Sequence, residues 1–318
     1  MNTPLVAAIL EKYQLTPHTI HPSTHGYRNT VIPVTLTSGQ KVVVLIYKRE
    51  PGIANTINRI HQVLTFLKPT LPVPQPIPHP QKILRINTVQ RYAAIYTHLP
   101  GNTIPWEAYS QKHLKILGKT MSDLHHYLAN FHPSPPLPSA ISRLRQQQQT
   151  MINYFDDHVL QAMQQKLRLT LKPQSLICQL PLTPSDQALH LDFVRSNILF
   201  STQHRWPEIT GILDFEKIAA GPPIIDLART LAFLLVDCAS KTPTQVYKYF
   251  LHSGYIKRGL NKLNSTTGLQ ELVIHFLLFD FYKFLKHNPY ESLHLNHHFR
   301  RTSSILLFKQ ILQIKLAI

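Results

Sequence analysis

Apolar positions along the chain fall into two periods. Thr30 to Leu36 (TVIPVTL) and Lys41 to Tyr47 (KVVVLIY) are β-branched runs separated by Thr37-Ser38-Gly39-Gln40, which predicts a β-hairpin. Ile53 to Leu67 places Ile57, Ile60, Leu64 and Leu67 at helical spacing. Residues 71–80 (LPVPQPIPHP) carry five prolines, which neither a helix interior nor a central strand accepts, so an extended connector is expected. Lys82 to Thr97 alternates as two further strands. Beyond Pro100-Gly101 the helical period takes over. Gln111 to Leu128 aligns Leu114, Leu117, Met121, Leu124 and His125 on one face, and Ala140 to Leu169 reads as one long Gln-rich helical stretch. Gln187 to Phe215 is strand-rich, and the remainder is mostly helical. Thr3 followed by Pro4 predicts a helix start. The pattern describes a β-rich lobe over residues 1–98, a short hinge at His98 to Gly101, and a larger, mainly helical lobe over 99–318.

Composition narrows the class. At 318 residues with 43% hydrophobic content, the chain supports a sizeable core without disulfide staples. Its two cysteines, Cys178 and Cys238, exclude a disulfide scaffold and a four-cysteine zinc module, and fit packed thiols in a reducing cytoplasm. The longest apolar runs, Leu231 to Val236 and Leu272 to Phe281, fall short of the roughly 18 residues that a membrane span needs. The first 15 residues lack a basic n-region and make a poor signal peptide. The net charge of +17 is compatible with a polyanion partner, but Lys and Arg are scattered rather than clustered, which favours a general basic bias over nucleic-acid binding. His294, His297 and His298 lack a carboxylate or cysteine at ligand spacing, so a solvated face is favoured over a metal cluster.

The chemistry concentrates in His190-Leu191-Asp192-Phe193-Val194-Arg195-Ser196-Asn197, followed by Gly211-Ile212-Leu213-Asp214-Phe215-Glu216. Asp192 and Asn197 lie on a loop ahead of an apolar strand, and a second apolar strand runs into Asp214. A turn at His204 to Pro207 lets the strands pair, which brings Asn197 and Asp214 to one end of a hairpin. Two hard oxygen ligands suit Mg²⁺, which completes its shell from water and substrate phosphates. Asp192 stands where it can accept a proton from a hydroxyl, as phosphoryl transfer requires. Six of the chain's 16 acids fall within residues 192–237, which points to a held cation.

This block resembles the aminoglycoside phosphotransferase family of kinase-like enzymes, which also holds choline, homoserine and fructosamine kinases. Gly221-Pro222-Pro223-Ile224-Ile225-Asp226-Leu227-Ala228 matches the family's continuation. Gly26-Tyr27-Arg28-Asn29 looks like its phosphate-loop turn, Leu71-Pro72-Val73-Pro74 its connector, Leu99-Pro100-Gly101 its hinge exit, and Leu117-Gly118-Lys119 to Leu124-His125 its next helix. The resemblance covers roughly residues 5–237. It implies an α+β, two-lobed, protein-kinase-like fold. It implies Asp192 as catalytic base, Asn197 and Asp214 as Mg²⁺ ligands, and Gly26, Arg28 and Asn29 at the nucleotide. His190 and Asp226 become structural braces of the loop. Arg195, and with it Glu216, become candidate acceptor contacts.

Two departures stand out. The family's third strand carries a Lys or Arg that grips the α/β-phosphates and pairs with a helix Glu. Here Leu45 takes the strand position, and Ile60 or His61 the helix position. Lys48 should point away from the cleft unless a bulge turns it in, and Lys41, on Leu45's face, or Arg28 are the other substitutes. Losing one preorganised charge contact costs about 2.7–4 kcal/mol of barrier by analogy with an oxyanion donor. In addition, Leu191 stands where the family often has Gly, so a relaxed turn is expected there. The expected activity is ATP- or GTP-dependent transfer of a phosphoryl group to a hydroxyl of a small molecule, with a pseudokinase of weak or no turnover as the alternative. Only Glu271, Asp280 and Glu291 follow Asp237. A neutral or anionic acceptor therefore fits the field better than a polycation.

Overall fold

The computed structural model describes residues 3–25, 29–79, 84–86, 91–177, 185, 187–202, 206–258 and 268–308. Helix α1 (Thr3–Lys12) leads into strands β1 (Pro17–Ile20), β2 (Thr24–His25), β3 (Thr30–Leu36) and β4 (Lys41–Ile46), then α2 (Ile53–Leu67), β5 (Leu84–Ile86) and β6 (Arg91–Thr97). The antiparallel sheet runs β1-β3-β4-β6-β5, with β2 pairing β3. The hairpin register sets Val31 opposite Leu45 and Val34 opposite Val42. Because strand side chains alternate, the sheet serves two neighbours. Ile32, Val34, Val42, Val44 and Ile46 form one core with Val6, Ile9 and Leu10 of α1. Ala94 and Tyr96, on the opposite face, join the core that holds Ile57, Ile60, Val63 and Leu64 of α2.

The proline connector ties the two parts together. Ile77 N–H donates to Ile95 O at 2.7 Å and Thr97 N–H to Gln75 O at 2.9 Å, while Pro72 O accepts from Ile212 N–H at 2.8 Å. The chain then passes Gly101, whose φ of 105° suits only glycine. An added Cβ there would lie 2.6 Å from Phe200 O, too close for any side chain.

The larger part holds α3 (Gln111–Leu128), α4 (Ala140–Tyr154), α5 (Asp157–Leu167), β7 (Ala188–Leu189), β8 (Ile198–Phe200), β9 (Ile209–Ile212), β10 (Ala219–Ala220), α6 (Ile224–Asp237), α7 (Pro243–Val246), a π-helix (Tyr247–Ile256), α8 (Leu269–His287), α9 (Tyr290–Leu293) and α10 (His297–Phe308). The single helical stretch expected over 140–169 is in fact two helices. Asp156 interrupts it as an N-cap, its carboxylate accepting from Val159 N–H at 2.9 Å. α3 lies tight along the π-helix, and a Cβ on Gly118 would collide with the Phe250 carbonyl. Among the described residues, no helix is long and apolar enough to cross a membrane. Cys238 is buried, and burial pushes its thiol up to about 12, while Cys178 lies outside the described residues.

Candidate active site

A cleft of about 780 Å³ separates the sheet from the helical part. Its two walls differ in chemistry.

The lower wall is built on β8 and β9, which pair as the expected antiparallel hairpin, Ile198 opposite Ile212. Leu213 N–H donates to Asn197 O at 2.8 Å, which fixes the strand end and sets Asp214 beside Asn197. Asp192, Asn197 and Asp214 all line the cleft. Asn197 Nδ2 donates to Asp192 O at 2.9 Å and to Asp192 Oδ2 at 3.3 Å. That commitment turns Asn197 Oδ1 the other way, where it accepts from the Ser196 hydroxyl at 3.3 Å and keeps a second lone pair for a cation. Asp214 is exposed and adopts φ 61°, the left-handed region, with Oδ1 accepting from Glu216 N–H at 3.2 Å. One amide and one carboxylate oxygen suit Mg²⁺ held partly by substrate phosphates. Among the described residues, no group of three or more His, Cys, Asp or Glu could hold a metal by itself.

Asp226 underlies this wall. Its Oδ2 accepts from His190 N–H at 2.8 Å and its Oδ1 from Leu191 N–H at 3.0 Å. His125 Nε2 donates to Oδ2 at 3.2 Å, while the Tyr255 hydroxyl donates to His125 Nδ1 at 2.8 Å. Burial pushes the Asp226 carboxyl up. The hydrogen bond from His125, with that from the His190 N–H, outweighs it and holds the group below its ordinary value. His190 is fully buried, which lowers its pKa against the pull of Asp226, Asp192 and Asp214. Its Nδ1 accepts from Asp192 N–H and its Nε2 donates to Leu213 O, both at 3.1 Å, so the neutral ring links the two halves of the motif.

The relaxed turn expected at Leu191 is absent. Leu191 adopts φ 59° despite its side chain, a conformation that costs an L-residue roughly 1–2 kcal/mol. Its side chain is buried in the main core and its N–H is held by Asp226, and these two contacts offset the strain.

The upper wall is apolar. Val31, Val43 and Leu45 line the cleft from the sheet, with Ile60 and Leu64 from α2. Leu45 thus faces the cleft, as the strand alignment requires, and among the described residues of this wall no cation replaces it. Lys48 turns away and pairs with Glu50 at 3.4 Å. Lys41 is exposed and does not line the cleft. Where an ion pair would stand, the Tyr47 and Tyr96 hydroxyls hydrogen-bond at 2.5 Å, and His61 Nε2 meets the Tyr96 hydroxyl at 3.0 Å. Burial lowers His61 from its ordinary 6.5 to about 4, so the ring is neutral near pH 7. Burial, then the neighbouring Tyr96, raises the Tyr47 hydroxyl well above its ordinary range.

Of the remaining predicted residues, Asn29 and Glu216 line the cleft and bond to each other, Asn29 Nδ2 donating to Glu216 Oε1 across the two parts. Asn29 Oδ1 also accepts from Lys48 N–H at 3.0 Å. Gly26 and Arg28 lie outside the described residues. Arg195 does not line the cleft. It stands near Asp237, whose carboxyl is raised by burial against the pull of His298 and Arg195. His298 Nδ1 is 2.6 Å from Asp237 Oδ1, so the histidine cluster near the C-terminus does meet a carboxylate, one remote in sequence. Of the six acids in residues 192–237, Asp192, Asp214 and Glu216 face the cleft, Asp226 lies behind it, and Asp237 pairs with His298.

Sequence reasoning missed Lys217. Its Nζ lies 2.7 Å from Asp192 Oδ1, and it is the sole Lys or Arg among the described residues lining the cleft. Its place directly after Asp214-Phe215-Glu216 was the available signal.

A family model described as the phosphotransferase enzyme family matches residues 19–255. No curated protein matches the sequence closely enough to count as a relative. Among solved structures, an amicoumacin kinase in complex with AMP-PNP, Ca²⁺ and Ami is 13% identical with a TM-score of 0.70, the match covering 97% of this chain and 94% of that one. A GDP complex of wild-type aminoglycoside 2'-phosphotransferase-IIIa is 15% identical at TM-score 0.62, covering 96% and 99%. A microcompartment-associated aminopropanol kinase is 12% identical at TM-score 0.64, covering 98% and 99%. At these identities the likeness is one of fold.

Proposed function

The chain belongs to the phosphotransferase enzyme family, and from that premise we propose that it moves the γ-phosphoryl group of ATP or GTP to a hydroxyl of a neutral or anionic small molecule. The observation that carries this reading is the convergence of Asp192, Asn197 and Asp214 at one end of the β8–β9 hairpin, inside the cleft. The amicoumacin kinase structure, with its AMP-PNP and Ca²⁺, supports a nucleotide donor accompanied by a divalent cation.

Asn197 and Asp214 would hold Mg²⁺, which supplies charge neutralisation at the donor phosphates. Asp192 orients the acceptor hydroxyl and takes its proton. The bond from the acceptor oxygen to the γ-phosphorus forms as the bond to the β–γ bridging oxygen breaks, and the nucleoside diphosphate leaves with that electron pair. Asn197 aims the Asp192 carboxylate, while Asp226 and His190 hold the loop that carries it. Asn29, and with it Gly26 and Arg28 of the same motif, would contact the nucleotide from residues 1–98, and residues 99–318 supply the chemistry.

A second reading, a nucleotide-binding protein of weak turnover, rests on Leu45 facing the cleft where the family carries a cation. Screening ATP and GTP consumption across a panel of neutral and anionic hydroxyl compounds separates the two. The expected result is one acceptor class consumed, with Asp192→Ala lowering turnover by about 10²–10⁴ while nucleotide still binds. Wild-type turnover in Asp192→Ala removes Asp192 as base. Nucleotide binding without turnover on any acceptor favours the second reading.

A further inference from the structure

We infer that Lys217 is the cation that meets the donor's terminal phosphate, supplied from the lower wall in place of the one missing from β4. The inference rests on the phosphotransferase reading above. Its observations are the charge inventory of the cleft and the position of one side chain.

Three carboxylates, Asp192, Asp214 and Glu216, line the cleft. A nucleoside triphosphate with one Mg²⁺ still brings net negative charge into that field, and like charges at close range repel. The described residues of the upper wall supply no compensation, because Leu45, Val43 and Ile60 are apolar and the Tyr47–Tyr96–His61 chain is neutral at pH 7. His98, which also lines the cleft, is lowered by burial and by the Lys41 charge and is neutral as well. Lys217 is therefore the available positive charge among the described lining residues.

Its placement fits the role. The backbone is fixed, since Arg143 Nη1 of α4 donates to Lys217 O at 3.1 Å and Ile218 N–H donates to Phe215 O at 3.2 Å. The side chain is 38% exposed, so it is open to a ligand in the cleft as well as to Asp192. It rests 2.7 Å from Asp192 Oδ1, in the cleft that Asp214 also lines. With Asp192 as base, the acceptor oxygen that receives the phosphoryl group lies beside this ion pair. An ammonium has three donors, enough to keep Asp192 and bond a phosphate oxygen together. With the nucleotide absent, Lys217 neutralises the base. With it bound, the same charge contacts the oxygens whose negative charge the transition state spreads.

The test measures affinity rather than turnover. Binding of Mg·AMP-PNP and Mg·ADP is measured by calorimetry for wild type, Lys217→Met and Lys217→Arg, with a thermal melt of each apo protein as the folding control. Lys217→Met is expected to lose AMP-PNP affinity by about 10–100-fold, the range of one charge-assisted hydrogen bond, and to keep ADP affinity within about twofold. Lys217→Arg should retain most of the preference for the triphosphate. Equal losses for both nucleotides, or no loss for either, overturn the inference, as does a triphosphate preference that disappears in Arg28→Met but survives in Lys217→Met. If Lys217→Met fails to fold, Lys217→Gln serves in its place under the same criteria. A wild type that binds neither nucleotide defeats the phosphotransferase reading itself, and the assignment of Lys217 with it.

Discussion

The two walls of the cleft face the same space but are held by different forces. The lower wall is polar and over-determined. His190, Asp192, Asn197 and Asp226 are all buried, each makes at least two hydrogen bonds, and the backbone accepts left-handed φ at both Leu191 and Asp214. The upper wall is a surface of β-branched and aliphatic side chains with one neutral hydroxyl–imidazole chain across it. Strain is carried where the chemistry is proposed and nowhere along β4. That pattern belongs to a site whose geometry is maintained on one side. A missing cation on β4 therefore leaves the set of oxygen ligands intact, because the hydrogen bonds that fix Asp192 and Asn197 come from the lower wall itself.

The largest effect expected from breaking this contrast is at Asp226. Asp226→Ala strands the His190 and Leu191 N–H groups and His125 in the core, and removing one member of a buried charged network costs about 3–5 kcal/mol. Urea denaturation should show that loss. A drop below about 1 kcal/mol would mean that the loop is held by packing alone.

Converting the upper wall should have a smaller effect. Leu45→Lys places an ammonium in the cleft, and His61→Glu gives it a partner. The double variant should bind nucleotide more tightly than the two singles add up to, by the roughly 0.5–3 kcal/mol with which residues in contact couple. Additive or weakened binding in a titration would show that Leu45 and His61 do not face one another across the phosphates.

The smallest effect separates the walls by pH. His61 binds its proton only near pH 4 when folded but near 6.5 when unfolded, so the unfolded chain takes up more protons between those values and stability falls as pH drops through that window. Screening at the partly exposed ring keeps the loss on the order of 1–2 kcal/mol. Asp226 acts with the same sign but at lower pH. Its folded value is depressed, so its contribution persists through this window and is lost only below the ordinary carboxylate range. In melts from pH 7 to 4, His61→Gln should flatten the curve. An unchanged curve would assign the acid loss to other groups, such as buried His275, which burial also lowers to about 4.

The contrast also marks what the sequence made legible. Helices α2 and α3 occupy the spans that their apolar spacing predicts, because each presents a continuous stripe to a core. The meeting of Asn197 and Asp214 followed from two apolar strands and a turn. Local signals of this kind depend on near neighbours. The break at Asp156 was readable in principle as an N-cap but was masked by a continuing helical composition. The left-handed Leu191 was hidden because Asp226, 35 residues on, stabilises it. The Tyr47–Tyr96–His61 chain and the reach of Lys217 to Asp192 depend on tertiary placement that no periodicity encodes.

The central claim is that the lower wall binds a metal–nucleotide complex through Asp214 and Asn197, and a thermal melt with ATP, with and without Mg²⁺, tests it most directly. At a hundredfold excess over Kd, wild type should gain about 2.7 kcal/mol that depends on Mg²⁺, and Asp214→Ala should lose that gain while its apo melt stays close to wild type. No Mg²⁺-dependent shift in wild type at millimolar ATP, or the same shift in Asp214→Ala, would contradict the account.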